Sequence, residues 1–190
     1  MDSEFIQKLK NGDEPAFRTL VEKHKDNVVN TCFGFVNNYH DADDLAQDVF
    51  VEVFRSIDSF KEDSKLSTWI YRIAVNKSLD FIRKTKRKKR WSELFRFDTG
   101  NDESIDNWVP HNQTPDIELE QKERIEILKL AIDNLPPNQK AAFTLQKYED
   151  LSYQEIAEVL NTSLSSVESL MHRAKQNLKK SLKSYYENKL

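Results

Sequence analysis

Four carboxylates, Asp41, Asp43, Asp44 and Asp48, fall within one short stretch. Hard oxygen ligands that dense suggest a divalent cation and hydrolysis of a phosphodiester. Helical spacing divides them, because Asp44 and Asp48 share one face while Asp41 and Asp43 point elsewhere. His24, His40, His111 and His172 show no ligand spacing to one another. No metal, no cofactor and no enzyme activity is therefore expected. A different chemistry gathers near the C-terminus, where Ser165, Ser166, Ser169, His172 and Arg173 stand close together with Lys175 just beyond. Hydroxyls, an imidazole and a guanidinium hydrogen-bond base edges and phosphates, and a bidentate guanidinium reads guanine.

Those residues need rigid elements to hold them, and YQEIAEVLNTSLSSVESLMH, residues 153–172, supplies a candidate. Ile156, Leu160, Val167 and Leu170 form an apolar seam between two short helices, with Ala157 small enough for their crossing. Asn161 fits a tight left-handed turn as the best substitute for glycine. Ser152 and Glu155 form a capping box that opens the first helix. Glu168 either accepts from a cytosine amino group or closes a second capping box with Ser165, and the cap is the expectation. The pattern is that of a helix-turn-helix, whose second helix enters the major groove; an ordinary αα-hairpin has the same outline. Lys175, Lys179, Lys180 and Lys183 follow, placed to neutralise phosphates.

Charge is segregated along the chain although the net charge is only −3. Asp41 to Asp63 holds eight acids and two bases, and Lys77 to Arg90 holds eight bases and one acid. Asp98 to Glu120 holds seven acids and no base, and Leu164 to Leu190 six bases and two acids. Two separated basic segments in an acidic protein suggest two footprints on a polyanion. Either block alone also describes a solvated helix face.

The glycines, Gly12, Gly34 and Gly100, lie far apart, which excludes a Walker loop and a GxGxxG turn. Cys32 is the only cysteine, so no intramolecular disulfide and no cysteine-based zinc site can form. MDSEFIQKLKNGDEPAF does not have the form of a signal peptide. No apolar stretch approaches the roughly 18–20 residues that span a bilayer. A cytoplasmic location without membrane insertion is the expectation.

Nearly every periodic segment reads as helix. Phe17, Leu20, Val21, Val28 and Val29 make one stripe, Ala42, Leu45, Val49, Val53 and Ile57 a second, and Leu66, Ile70, Ile73 and Ala74 a third. Residues 91–116 lose the periodicity and carry Gly100, Pro110 and Pro115, too long a break for an ordinary loop. Helix resumes at Thr114-Pro115-Asp116, with Ile117, Ile125, Leu128 and Ile132 as its apolar side. The expected fold is all-α: two small helical domains, residues 1–90 and 115–190, joined by a flexible acidic linker, 91–114.

Four stretches in this order and spacing resemble the extracytoplasmic-function sigma factors, two-domain initiation factors of bacterial RNA polymerase. They are DADDLAQDVFVEVFRSIDSF (41–60), STWIYRIAVNKSLDFIRK (67–84), LPPNQKAAFTLQKYEDLSYQEIAEVLNTS (135–163) and SSVESLMHRAKQNLKK (165–180). The resemblance implies a first domain that binds the clamp helices of core RNA polymerase and opens and reads the −10 promoter element. It implies a second domain that reads the −35 element and touches the polymerase flap. Partners would be core polymerase, promoter DNA both duplex and melted, and an anti-sigma factor, which some members lack.

By the same resemblance, core binding falls on Asp44, Gln47 and Asp48, an acidic outer face suited to a basic partner. The −10 strip falls on Trp69, Asn76, Lys77, Asp80, Arg83, Lys84 and Arg87. There Asn76 offers paired donor and acceptor groups to a flipped base, and the bases track the single-stranded backbone. Phe60 and Leu66 would shape the base pocket, and Trp69 either marks the upstream edge of melting or packs in the core. The −35 set is Ser165, Ser166, Ser169, His172, Arg173 and Lys175. Glu168 and Leu170 depart from the Lys or Arg common in the family, so its −35 sequence does not carry over. The rival reading is a stand-alone helix-turn-helix regulator, which has no need of the basic block after STWIYRIAVNK.

Overall fold

The computed structural model describes residues 3–95 and 115–187, with side chains over 3–88 and 123–183. Every regular element among them is helical. The first unit holds α1 (Ser3–Lys10), α2 (Glu14–Val36), α3 (Tyr39–Ser56), a 3-10 turn (Ile57–Ser59) and α4 (Leu66–Phe95). The second holds α5 (Pro115–Asp133), α6 (Pro137–Tyr148), α7 (Tyr153–Val159) and α8 (Leu164–Glu187).

Local chemistry sets most boundaries. Asp13 caps α2 by accepting from the Ala16 amide at 2.8 Å, and Pro15 suits the first turn. Asn37 ends α2 in the left-handed conformation at φ 54°, and the next residue, Asn38, caps α3 by accepting from the Asp41 amide. Pro137 opens α6. The sequence reading misses α1, which docks through buried Ile6 and Leu9. It also ends α4 too early. The helix continues past Arg90 to Phe95, because 66–95 contains neither glycine nor proline and lysine and arginine are good helix formers. The rest of the expected linker, 96–114, lies outside the described residues.

The core of the first unit is built from Leu20, Val28, Val49, Val53 and Ile70, all 1% exposed or less. On α3 the expected inward stripe Ala42, Leu45, Val49 and Val53 is buried, joined by Ala46 and Phe50. Phe60 and Leu66, expected to shape an open base pocket, are instead 2% and 5% exposed and belong to this core. Cys32 lies in it too, and burial pushes its thiol up to about 11, too high for reactivity at neutral pH. On α5 the register differs in part from expectation: Ile132 is buried as expected and packs with Ala131 against Ala174 and Leu178 of α8, Ile127 is buried too, and Ile125 and Leu128 are exposed.

The two units do not stand apart. Phe35, Tyr71 and Val75 of the first share one buried cluster with Ala141, Leu145, Ile156, Val159, Val167 and Met171 of the second. At its edge Tyr71 donates to the Glu149 carboxylate at 2.9 Å and accepts from the Asn27 amide at 2.9 Å. Burial pushes the Glu149 carboxyl above its ordinary 4.5, against the hydrogen bond from Tyr71 that pulls it down. A raised folded pKa means that stability is fullest below pH 4.5 and is lost as pH rises through the raised value. Glu149→Gln keeps an acceptor for Tyr71 and removes the buried charge. Thermal unfolding should show it more stable than wild type at pH 7.5, with the difference shrinking toward pH 4; equal gains at both pH values would exclude this origin.

Candidate nucleic-acid interface

The helix-turn-helix is assembled by its own caps. The Ser152 hydroxyl accepts from the Glu155 amide and the Glu155 carboxylate from the Ser152 amide, so the capping box is complete. The turn after α7 closes with the Thr162 amide on the Ala157 carbonyl at 2.9 Å and Asn161 at φ 50°, a Schellman arrangement that needs a left-handed residue. Ile156 and Val167 are fully buried in the seam and Ala157 is 4% exposed at the crossing. Leu160 and Leu170 are only partly buried, and Met171 and Ala174 complete the inner face.

The cap of α8 differs from expectation. The Ser163 hydroxyl, not that of Ser165, accepts from the Ser166 amide, at 3.2 Å. The Ser163 carbonyl takes the first helical bond from Val167 at 3.1 Å. Glu168 is therefore no partner in a cap, and it is exposed.

The polar residues of α8 divide into two neighbouring stripes. Ser165, Ser169 and His172 are exposed on one, where His172 Nε2 pairs with Gln176 at 2.8 Å. Ser166, Leu170 and Arg173 line a cleft of about 530 Å³ toward the first unit. Lys175 is exposed.

Across that cleft stands α4, with Arg72, Val75, Asn76 and Leu79 on the wall. Asn76 thus faces the recognition helix. Farther along α4, Asp80 pairs with Arg83 at 3.1 Å, and Lys84 and Arg87 are exposed. Lys77 pairs with Glu52 of α3 at 2.9 Å, and both side chains are about one-third exposed. Trp69 is half-buried, its ring tilted against Phe60 at 5.4 Å between centroids, so it packs at the edge of the core.

A family model for Sigma-70 region 2 matches residues 20–88, and one for Sigma-70 region 4 matches 125–178. The ECF RNA polymerase sigma factor SigW of Bacillus subtilis is 32% identical over 186 residues, 94% of this chain and 95% of its own. The chain belongs to the extracytoplasmic-function sigma factors. The ECF RNA polymerase sigma-E factor of Haemophilus influenzae is 31% identical over 92% of each chain. Among solved structures, CnrH in complex with the cytosolic domain of CnrY superposes with a TM-score of 0.63 at 23% identity, over 95% of this chain and 96% of that one. The sigma factor RpoE of Bartonella quintana in complex with the anti-sigma factor NepR gives 0.61 at 22%, over 88% and 96%. These two establish the fold.

This sigma factor binds core RNA polymerase and promoter DNA to direct transcription initiation. A stand-alone regulator is not favoured, because the region 2 match covers the first unit. Among the described residues no helix is long and apolar enough to cross a membrane. Asp44, Gln47 and Asp48 are exposed on α3, with Gln47 donating to Asp43 at 3.0 Å. Beside them Val51 and Phe54 are 47% and 54% exposed. The residues expected at this face, Asp44, Gln47 and Asp48, do not include Phe54. A helical wheel puts Phe54 one turn past Val51, and the structure shows it half exposed in a T-shaped contact with Phe17, 5.2 Å between ring centroids.

The cap assignment is directly testable. Ser163→Ala should cost about 1 kcal/mol in denaturant unfolding, whereas Ser165→Ala should cost a few tenths or less. The reverse order would restore the cap to Ser165.

Proposed function

We propose that the labour divides as the charge does: residues 1–90 bind core polymerase and open and read the −10 element, 91–114 tether, and 115–190 read the −35 element. The exposed α3 face carries this reading. Acids at Asp44 and Asp48, with Gln47, surround the uncovered apolar surface of Val51 and Phe54, and charge around an apolar centre suits a basic protein partner such as the clamp helices. On α4, Asn76 receives a flipped −10 base while Arg83, Lys84 and Arg87 follow the single strand; Trp69 and Asp80 position that strip, and Lys77 joins it on release from Glu52. On α8, Ser165, Ser166, Ser169, His172 and Arg173 face the −35 groove with Lys175 on phosphate, while the flap meets the outside of the second unit. The factor itself does no catalysis, which stays with the polymerase, and it acts in the cytoplasm. An anti-sigma factor is a further proposed partner, in line with the complex of Bartonella quintana RpoE with NepR.

Reversing Asp44 and Asp48 together to Lys should weaken pull-down of core polymerase at moderate salt by about tenfold with unchanged thermal unfolding. Wild-type recovery of polymerase would remove this face from the interface. Asn76→Ala should lower permanganate reactivity of the −10 bubble more than it lowers closed-complex binding. Arg173→Ala should reduce run-off transcription by about tenfold, the loss of one bidentate base contact, with polymerase binding intact. Full transcription from that holoenzyme would take Arg173 out of the reading head.

A further inference from the structure

Two exposed residues near the start of α8 fall outside the set assigned to the −35 groove. Leu164 is the first residue of the helix, and it is 43% exposed. Glu168 follows one turn later and is exposed as well. The Ser163 hydroxyl caps the helix without it, and among the described residues Glu168 makes neither a hydrogen bond nor an ion pair.

Helical geometry puts the two side by side. Each residue turns the helix by about 100°, so Glu168 lies about 40° and Lys175 about 20° round from Leu164. This flank has the buried seam of Val167, Met171 and Ala174 on one side and the exposed stripe of Ser165, Ser169 and His172 on the other. Ser166, Leu170 and Arg173 point the opposite way, into the cleft facing α4. From its first residue onward the flank therefore runs apolar, acidic and basic.

The second helix of a helix-turn-helix brings its N-terminal residues to the base edges of the major groove. Serine hydroxyls both donate and accept, so Ser165, Ser166 and Ser169 pair with a base of either kind and discriminate little. Sequence is read by side chains of a single character. Arg173 is one, because a guanidinium only donates. Leu164 and Glu168 are two more. An apolar side chain in the major groove meets the 5-methyl group of thymine, and a carboxylate, which only accepts, takes the amino group of cytosine. A carboxylate also repels a guanine placed there, whose major-groove edge offers acceptors alone.

We propose that Leu164 and Glu168 are specificity-determining residues, Leu164 against a thymine methyl and Glu168 on a cytosine amino group. Both roles rest on the reading of α8 as the −35 helix. Four residues of helix rise about 6 Å and base pairs stack about 3.4 Å apart, so the two pyrimidines stand about two base pairs from each other when α8 lies along the groove. Lys175, farther along the same flank, then meets the backbone beside them.

Holoenzyme formed from core RNA polymerase and the full chain can be given duplex promoters randomised across the −35 segment, with run-off transcripts counted by sequence. The wild-type chain should select a cytosine by at least about fivefold over the other bases, and a thymine about two base pairs from it. Glu168→Ala should flatten the preference at the cytosine and leave the thymine. Leu164→Ala should do the reverse. Replacing that thymine by deoxyuracil, which lacks only the methyl group, should lower wild-type transcription about fourfold and leave the Leu164→Ala holoenzyme unaffected. Absence of this pyrimidine pair from the selected sequences, or variants that keep both wild-type preferences, would overturn the assignment. Equal wild-type transcription from thymine and deoxyuracil promoters would remove Leu164 from it, and that comparison needs no variant to fold. Arg173→Ala separates this proposal from the reading beneath it. If Arg173→Ala alters the selected −35 sequence while the other two variants do not, α8 reads the element without Leu164 and Glu168. If none of the three alters it, α8 is not the −35 helix.

Discussion

The open carbonyls at the ends of α2 and α7 are the constraint on which the arrangement of the two units depends. A buried helix end without partners is costly, and each unit completes what the other's own cap leaves open. Lys140 and Thr144 supply one set and Arg72 the other. Lys140 enters a nearly dry site to do so, where burial draws its ammonium below the ordinary lysine range while Asp133 pulls it back up. An uncompensated ammonium there would be strongly destabilising, so the Phe35 carbonyl and Asp133 have to be present together. The shared cluster of Phe35, Tyr71 and Val75 with Leu145 and Ile156 then packs around these polar anchors.

Beyond that interface, the charges sort by task. Asp44 and Asp48 stay in water on α3, while Arg83, Lys84 and Arg87 stay in water on α4. Glu52 and Lys77 are where the two fields meet, and they neutralise each other at the seam between the helices. A half-exposed pair of this kind contributes only about 0–1 kcal/mol. On α8 the split between an outer stripe of Ser165, Ser169 and His172 and an inner stripe of Ser166 and Arg173 follows from helical geometry, since adjacent positions turn by about 100°.

The sequence by itself determined most of the helices, the capping box of α7 and the order of the elements. Apolar spacing on α3 was enough to place Ala42, Leu45, Val49 and Val53 inward, because a single helix with one buried face carries its periodicity openly. The capping box of Ser152 and Glu155 and the left-handed Asn161 were legible because they depend on neighbours a few residues away. The motif order was enough to show the family. Reading failed where two local solutions compete. Ser163 and Ser165 both precede an acceptable helix start, and the observed turn selects Ser163. Ile125 and Leu128, three apart, and Ile127 and Ala131, four apart, both have helical spacing, and only the tertiary packing decides which pair is covered. Tertiary structure alone decided the burial of Phe60 and Leu66, the capture of Lys77 by Glu52, and the reason for Gly34. Each depends on a residue distant in the chain, and nothing in local spacing encodes which long-range neighbour arrives; for Gly34 it is Thr144, on the other unit.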